Sequence, residues 1–140
     1  MKPNQLQLAK CLVAELEVFA EIDLDVPGIT DSWIVGMLRH GIPFIPSYWA
    51  GDQNPWRKMR LVRAVKQLEQ MGLLKRVTEP NRDRTTHVIP SSELISETLE
   101  RLGDEANVVA VIAALLRTDW GAGIAGQLAS TGADATSVAR

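Results

Sequence analysis

Apolar positions repeat at helical spacing through most of this chain and at strand spacing in one short stretch. Leu8, Leu12, Leu16 and Phe19, with Ala9, Val13 and Ala20 alongside, mark one face of a helix over residues 5 to 21. Glu15, Glu17 and Glu21 fall mostly outside that face. Asp23 to Gly28 reads as a loop. A second helix, capped by Thr30 or Asp31, runs through Trp33, Ile34, Met37 and Leu38; His40-Gly41 stops it and Pro43 prevents its continuation. Ile42 to Gln53 reads as a long connection holding two prolines and Phe44, Ile45, Tyr48 and Trp49. A third helix starts at Asn54-Pro55, where asparagine caps and proline suits the first turn, and runs to Met71 before Gly72 ends it.

The period then changes. Leu73 to Glu79 and Arg84 to Ile89 read as two strands, with turn chemistry at Pro80-Asn81-Arg82-Asp83 between them. Pro90-Ser91-Ser92 opens a fourth helix with Leu94, Ile95, Leu99 and Leu102 on one side. Gly103-Asp104 interrupts it, and a fifth segment runs to about Trp120. The Gly, Ala, Ser and Thr content of residues 121 to 140 predicts a flexible tail. No internal repeat is visible. The 140 residues suit one domain with a helical extension.

Charge changes this picture more than composition does. Net charge is −2, yet the segment from Arg57 to His87 holds nine basic residues (Arg57, Lys58, Arg60, Arg63, Lys66, Lys75, Arg76, Arg82, Arg84) against Glu69, Glu79 and Asp83. That segment is +6 and the rest of the chain is −8. A basic third in an otherwise acidic chain points to a polyanion; the bland alternative is an unevenly charged solvated surface.

Three helices followed by a two-stranded hairpin with a basic turn resemble the winged helix-turn-helix superfamily. The segment Leu61-Val62-Arg63-Ala64-Val65-Lys66-Gln67-Leu68-Glu69-Gln70-Met71-Gly72-Leu73-Leu74 carries most of the likeness. It is similar to the recognition helix and first wing strand of bacterial winged-helix transcriptional regulators, including the MarR-like ones. The resemblance covers about 85 residues. It implies a mainly α fold with a small β-hairpin wing (residues 75 to 90), a winged helix domain over residues 5 to 90, and C-terminal helices over 91 to 120. One feature departs from the pattern: the 14 residues from His40 to Gln53 replace the usual short turn. Phe44, Tyr48 and Trp49 in that stretch are expected to pack over the core, the alternative being a small-molecule pocket or partner surface.

With Val65 at the centre of its buried face, the third helix turns Trp56, Arg60, Arg63, Gln67 and Gln70 outward, with Lys66 and Met59 at the flank. Arginine pairs bidentately with guanine and glutamine with adenine, so Arg60, Arg63 and Gln67 are candidates to read base edges in a major groove. Arg57 and Lys58, near the helix N-terminus, suit phosphate. Lys66, Arg82 and Arg84 would reach backbone or minor groove. The alternative is the ordinary solvated face of an amphipathic helix.

Other signals carry little. Gly121-Ala122-Gly123-Ile124-Ala125-Gly126 matches a dinucleotide-loop spacing, but too few residues follow it for a βαβ unit. His40 and His87 are far apart in sequence from each other and from Cys11, which argues against zinc. Glu21, Asp23 and Asp25 fit no calcium loop. The one cysteine, Cys11, reads as a buried thiol. No catalytic constellation and no cofactor motif stands out. Val108 to Leu116 is apolar on every side and needs cover all round. A homodimer interface built from residues 93 to 120 would supply it, as would packing within the chain; two-fold symmetry would place two recognition helices about 34 Å apart on DNA. The expectation is thus a cytoplasmic, dimeric regulator of transcription that binds double-stranded DNA. The alternative is a winged-helix module that docks a protein partner in a larger assembly; RNA also remains open.

Overall fold

A computed structural model describes residues 1–25, 31–51 and 53–139, with side chains through residue 130. Part of the loop expected at Asp23 to Gly28, and the alternative cap Thr30, lie outside the described residues. In order the chain forms α1 (Pro3–Ala20), α2 (Ser32–Arg39), β1 (Ile42–Pro43), α3 (Pro46–Ala50), α4 (Pro55–Gln70), β2 (Leu74–Thr78), β3 (Thr85–Pro90), α5 (Ser92–Leu102), α6 (Val108–Leu116) and α7 (Ala122–Ala139). It is mainly helical, with one small antiparallel sheet in the order β1-β3-β2.

The core is built around α1, which packs against α4, α5 and α6. Its apolar stripe does what the spacing predicts: Leu8, Leu12, Leu16 and Phe19 are all buried. They meet Leu61, Val65 and Leu68 of α4, Leu94 and Ile95 of α5, and Val111 and Leu115 of α6 in one cluster. Each such side chain contributes about 1.5–3 kcal/mol on burial. Glu15, at the edge of that stripe, accepts hydrogen bonds from the indoles of Trp33 (3.1 Å) and Trp49 (2.8 Å), so one carboxylate ties α2 and α3 to α1. One turn further on, at the C-terminal end of α1, Arg117 Nη1 donates to the main-chain oxygens of Phe19 (2.7 Å) and Ile22 (2.9 Å), with its guanidinium over the Phe19 ring.

Helix ends follow their capping residues. Asp31 accepts from the amides of Trp33 and Ile34, Asn54 from Arg57, Ser91 from Leu94 and Asn107 from Ala110. Gly72, at φ 74°, takes the left-handed conformation that ends α4 and turns the chain into β2. β2 and β3 pair from Leu74↔Pro90 to Thr78↔Thr85, with an irregularity after Val77.

Two stretches differ from the sequence reading. The connection from Ile42 to Gln53 holds an edge strand and a one-turn helix. Ile42 and Pro43 pair with Val88 and His87 of β3, and an edge strand tolerates the missing proline N–H. Pro46 then opens α3, so only residues 51 to 54 separate α3 from α4. Phe44 and Trp49 pack edge-to-face at 5.6 Å, as expected, but Tyr48 is 77% exposed. The second stretch is residues 121 to 140, read from composition as a tail. Its backbone is helical over Ala122–Ala139, and Ile124, Ala125 and Leu128 pack against the core. Ser92 Oγ also donates to Gln127 Oε1 at 2.6 Å. Composition registers the small residues there but not the helical spacing of the three apolar ones.

Candidate nucleic-acid interface

Helix α4 buries Leu61, Ala64, Val65 and Leu68 and turns the rest outward. Arg57, Lys58, Arg60, Arg63 and Gln67 are exposed, and Trp56 (72%) and Met59 (47%) share the outer surface with them. Among the described residues, the four cations Arg57, Lys58, Arg60 and Arg63 have no ion-pair partner, whereas every other cation of the α4–wing unit except Lys75 has one. The four are spread around the helix, Arg57 and Arg60 bordering Pro3, Asn4 and Gln7 of α1 and Lys58 bordering the turn at Asp83 and Arg84, and each keeps its charge for a ligand.

The other expected contacts are less free. Gln67 Oε1 accepts from Gln5 Nε2 (3.1 Å), because α1 packs along α4. Gln67 is thereby tied to α1, and any pairing of it with adenine shares its Oε1 with Gln5. Lys66 Nζ is 3.0 Å from Asp83. At the wing turn Arg82 and Arg84 flank Glu79 at 3.9 and 3.7 Å, so that turn is a mixed-charge cluster rather than a free basic tip. Asn81 at its apex has φ 63°.

Arg76, counted only as part of the basic run in the sequence, is the joint of this region. Its main-chain N–H and Nε donate to the two oxygens of Glu69 (2.8 and 3.1 Å), Nη2 to Asp83 (2.8 Å) and Nη1 to Thr85 (3.2 Å). The Arg76 main-chain N–H, with the guanidinium adding to it, holds the Glu69 carboxyl below its ordinary value. Hydrogen bonds from Arg76 and then Lys66 do the same for Asp83. The end of α4, strand β2 and the wing turn are thereby fastened together. Opposite charges at Glu69 and Arg76 astride the Gly72 turn were the sequence signal for this joint.

Between α3, α4 and the wing turn lies an open groove of about 480 Å3, lined among others by Phe44, Tyr48, Lys58, Val62, Lys66 and Arg84. No family model, no curated protein and no solved structure matches this chain.

The histidines, isolated in sequence, are neighbours in space. Their ring centroids are 5.4 Å apart because β3 runs beside the end of α2. Gly36 makes room for the His87 ring: a Cβ there would sit 2.5 Å from His87 Nε2. Burial, with a smaller contribution from the His40 charge, lowers the His87 pKa. Among the described residues no group of three or more His, Cys, Asp or Glu side chains is placed to hold a metal ion. Cys11 is half-buried, and burial raises its thiol pKa against the opposing charge of Arg57. Gly121 to Gly126 follow α6 and a turn rather than a strand. No described helix is long and apolar enough to cross a membrane.

Helix α6 covers Ala110, Val111, Ala114 and Leu115 within the chain, while Val109 (78%) and Leu116 (61%) stay exposed. Exposed Ala113 lies on the same side of the helix, with half-buried Ile112 at its edge against the core, giving a small outward face with no polar residue.

Proposed function

We propose that this chain is a winged helix-turn-helix protein that binds double-stranded DNA. In this reading α3 and α4 form the helix-turn-helix across residues 51 to 54, and β2 and β3 form the wing. The observation that carries the proposal is the set of α4 cations, Arg57, Lys58, Arg60 and Arg63, that are exposed and, among the described residues, without an ion-pair partner. Arg57 and Lys58, in the first turn of α4, hold phosphate with the positive end of the helix dipole behind them. Arg60 and Arg63 face base edges, and Lys66, Arg82 and Arg84 meet the flanking backbone once they exchange their carboxylates for phosphates. The role is that of a cytoplasmic, sequence-specific regulator of transcription acting as a homodimer. The outward face of α6 supports the dimer, since a second copy would cover Val109 and Leu116.

Fluorescence anisotropy with duplex DNA tests the proposal. Wild type is expected to bind at low salt and Arg60→Ala/Arg63→Ala to bind more weakly. Absence of binding at roughly 50 mM salt would sink it. One observation favours the second reading, a module that docks a protein partner: Tyr48 and Trp56 are both largely exposed. Retention of a protein partner by a chain that binds no DNA would support that alternative.

A further inference from the structure

Tyr48 and the groove beside it have a use that a blunt double helix does not supply. The stretch from Phe44 to Trp49 packs its other rings: Phe44 lies against Trp49, and the Trp49 indole is tied to Glu15. Tyr48 alone is left 77% exposed, on the wall of the groove between α3, α4 and the wing turn. Among the described residues its hydroxyl has no partner, so neither packing nor hydrogen bonding accounts for its position.

The groove's volume, about 480 Å3, falls in the lower part of the range of roughly 300–1,000 Å3 typical of sites for small organic groups. Its charged lining is Lys58, Lys66 and Arg84 against one acid, Asp83, and Asp83 is already held by Arg76 (2.8 Å) and Lys66 (3.0 Å). Lys58 has no ion-pair partner among the described residues, and Arg84 reaches only the exposed Glu79 turn at 3.7 Å. An exposed aromatic face beside unpaired Lys58 and loosely paired Arg84, around a space too small for a duplex, matches the chemistry of a flat base on an anionic backbone.

We infer that this groove seats one unpaired nucleotide, its base stacked on Tyr48 and its phosphate against Lys58 and Arg84. The nucleotide belongs to a strand that continues into the duplex on α4, so the preferred ligand is a duplex with a single-stranded extension. This inference rests on the duplex-binding reading above, since Lys58 serves both surfaces. Stacking on an aromatic side chain is worth roughly tenfold in affinity per base, and it tolerates any base because each has a π-face.

The test compares a blunt duplex of about two helical turns with the same duplex carrying a short single-stranded extension, by anisotropy at one salt concentration. Wild type, Tyr48→Ala and Tyr48→Phe are measured as full chains. Wild type is expected to prefer the extended duplex by about tenfold. Tyr48→Ala loses that preference with blunt-duplex affinity unchanged, and Tyr48→Phe keeps it. A 2-aminopurine in the extension would be quenched by wild type and not by Tyr48→Ala. Equal binding of both DNAs by wild type overturns the inference and leaves duplex binding standing, as does a preference that survives Tyr48→Ala. Failure to bind either DNA overturns both. If a free mononucleotide at millimolar concentration is bound as tightly as the extended duplex, the seat serves a small molecule and the inference is likewise overturned.

Discussion

The double substitution Arg57→Ala/Lys58→Ala is expected to change how DNA affinity depends on salt, by an amount set by the ion pairs described above. Each phosphate neutralised releases condensed counterions, giving a slope of log K against log salt of about −0.9 per contact on B-DNA. Arg57 and Lys58, the two assigned to phosphate, are exposed and without ion-pair partners among the described residues, so they contribute a slope of about −1.8. The wing adds less: Arg82 and Arg84 share Glu79, and Lys66 is paired to Asp83, so contact with phosphate there leaves a carboxylate uncompensated beside DNA. Removing Arg57 and Lys58 should lower the slope's magnitude by about 1.8, and lower affinity by about 60-fold at 0.1 M salt through counterion release alone. Anisotropy titrations between roughly 50 and 200 mM salt measure both quantities. Arg101→Ala, which removes a cation paired to Glu97 on α5, serves as the control and should leave the slope unchanged. Parallel salt lines for wild type and the double variant would refute the assignment of α4 as the phosphate-contacting surface.

Further outcomes are expected. Arg117→Met loses two charge-assisted hydrogen bonds to the end of α1 and a cation–π contact, and should destabilise the fold by about 2–3 kcal/mol in urea unfolding; a loss under about 0.5 kcal/mol, the scale of an ordinary surface change, would show that the clamp is ornamental. Glu69 and Asp83 have folded pKa values below their unfolded ones, so their contribution is complete above the unfolded values, roughly pH 4, and is lost as pH falls through the folded ones. Acid titration of Arg76→Met followed by circular dichroism should therefore show unfolding at higher pH than wild type, and coincident curves would contradict the joint. His87 has a folded pKa below 6.5, so the unfolded chain binds more protons between the two values and stability falls as pH drops from neutral toward the folded value; His87→Phe should flatten the melting temperature across that window. Val109→Glu/Leu116→Glu should shift the chain from dimer to monomer in sedimentation without unfolding it, and an unchanged mass would leave α6 uninvolved in self-association.

Most of the helical frame could be read from the sequence because the apolar stripes of α1, α4 and α5 are long and α4 and α5 start at the ordinary caps Asn54 and Ser91. The hairpin was legible within a residue at each end, since branched residues flank a turn rich in Pro, Asn and Asp. β1 and α3 were not: a two-residue strand is too short to alternate, and a five-residue helix too short to show a stripe. At the site, α4's outward face followed from its period alone. What escaped notice is long-range pairing. Gln5 engages Gln67 across 62 residues, His40 meets His87, and Asp83 and Glu79 take up wing cations that a count of basic residues treats as free. Periodicity says which way a side chain faces, but not which side chain from elsewhere is waiting for it.

The central position of α1 bears on how the protein is made. Its apolar stripe is covered by α4, α5 and α6, and its last turn is closed by Arg117, so nearly 100 residues of chain separate Phe19 from the arginine that clamps it. At synthesis rates of roughly 5–20 residues per second, α1 leaves the ribosome some 5–20 s before its last cover arrives. During that interval Leu8, Leu12, Leu16 and Phe19 form a continuous sticky surface on an incomplete chain. The nascent protein is therefore expected to lean on a ribosome-associated holdase, and slowing translation downstream of α4 should lower its soluble yield while leaving the folded protein's stability untouched.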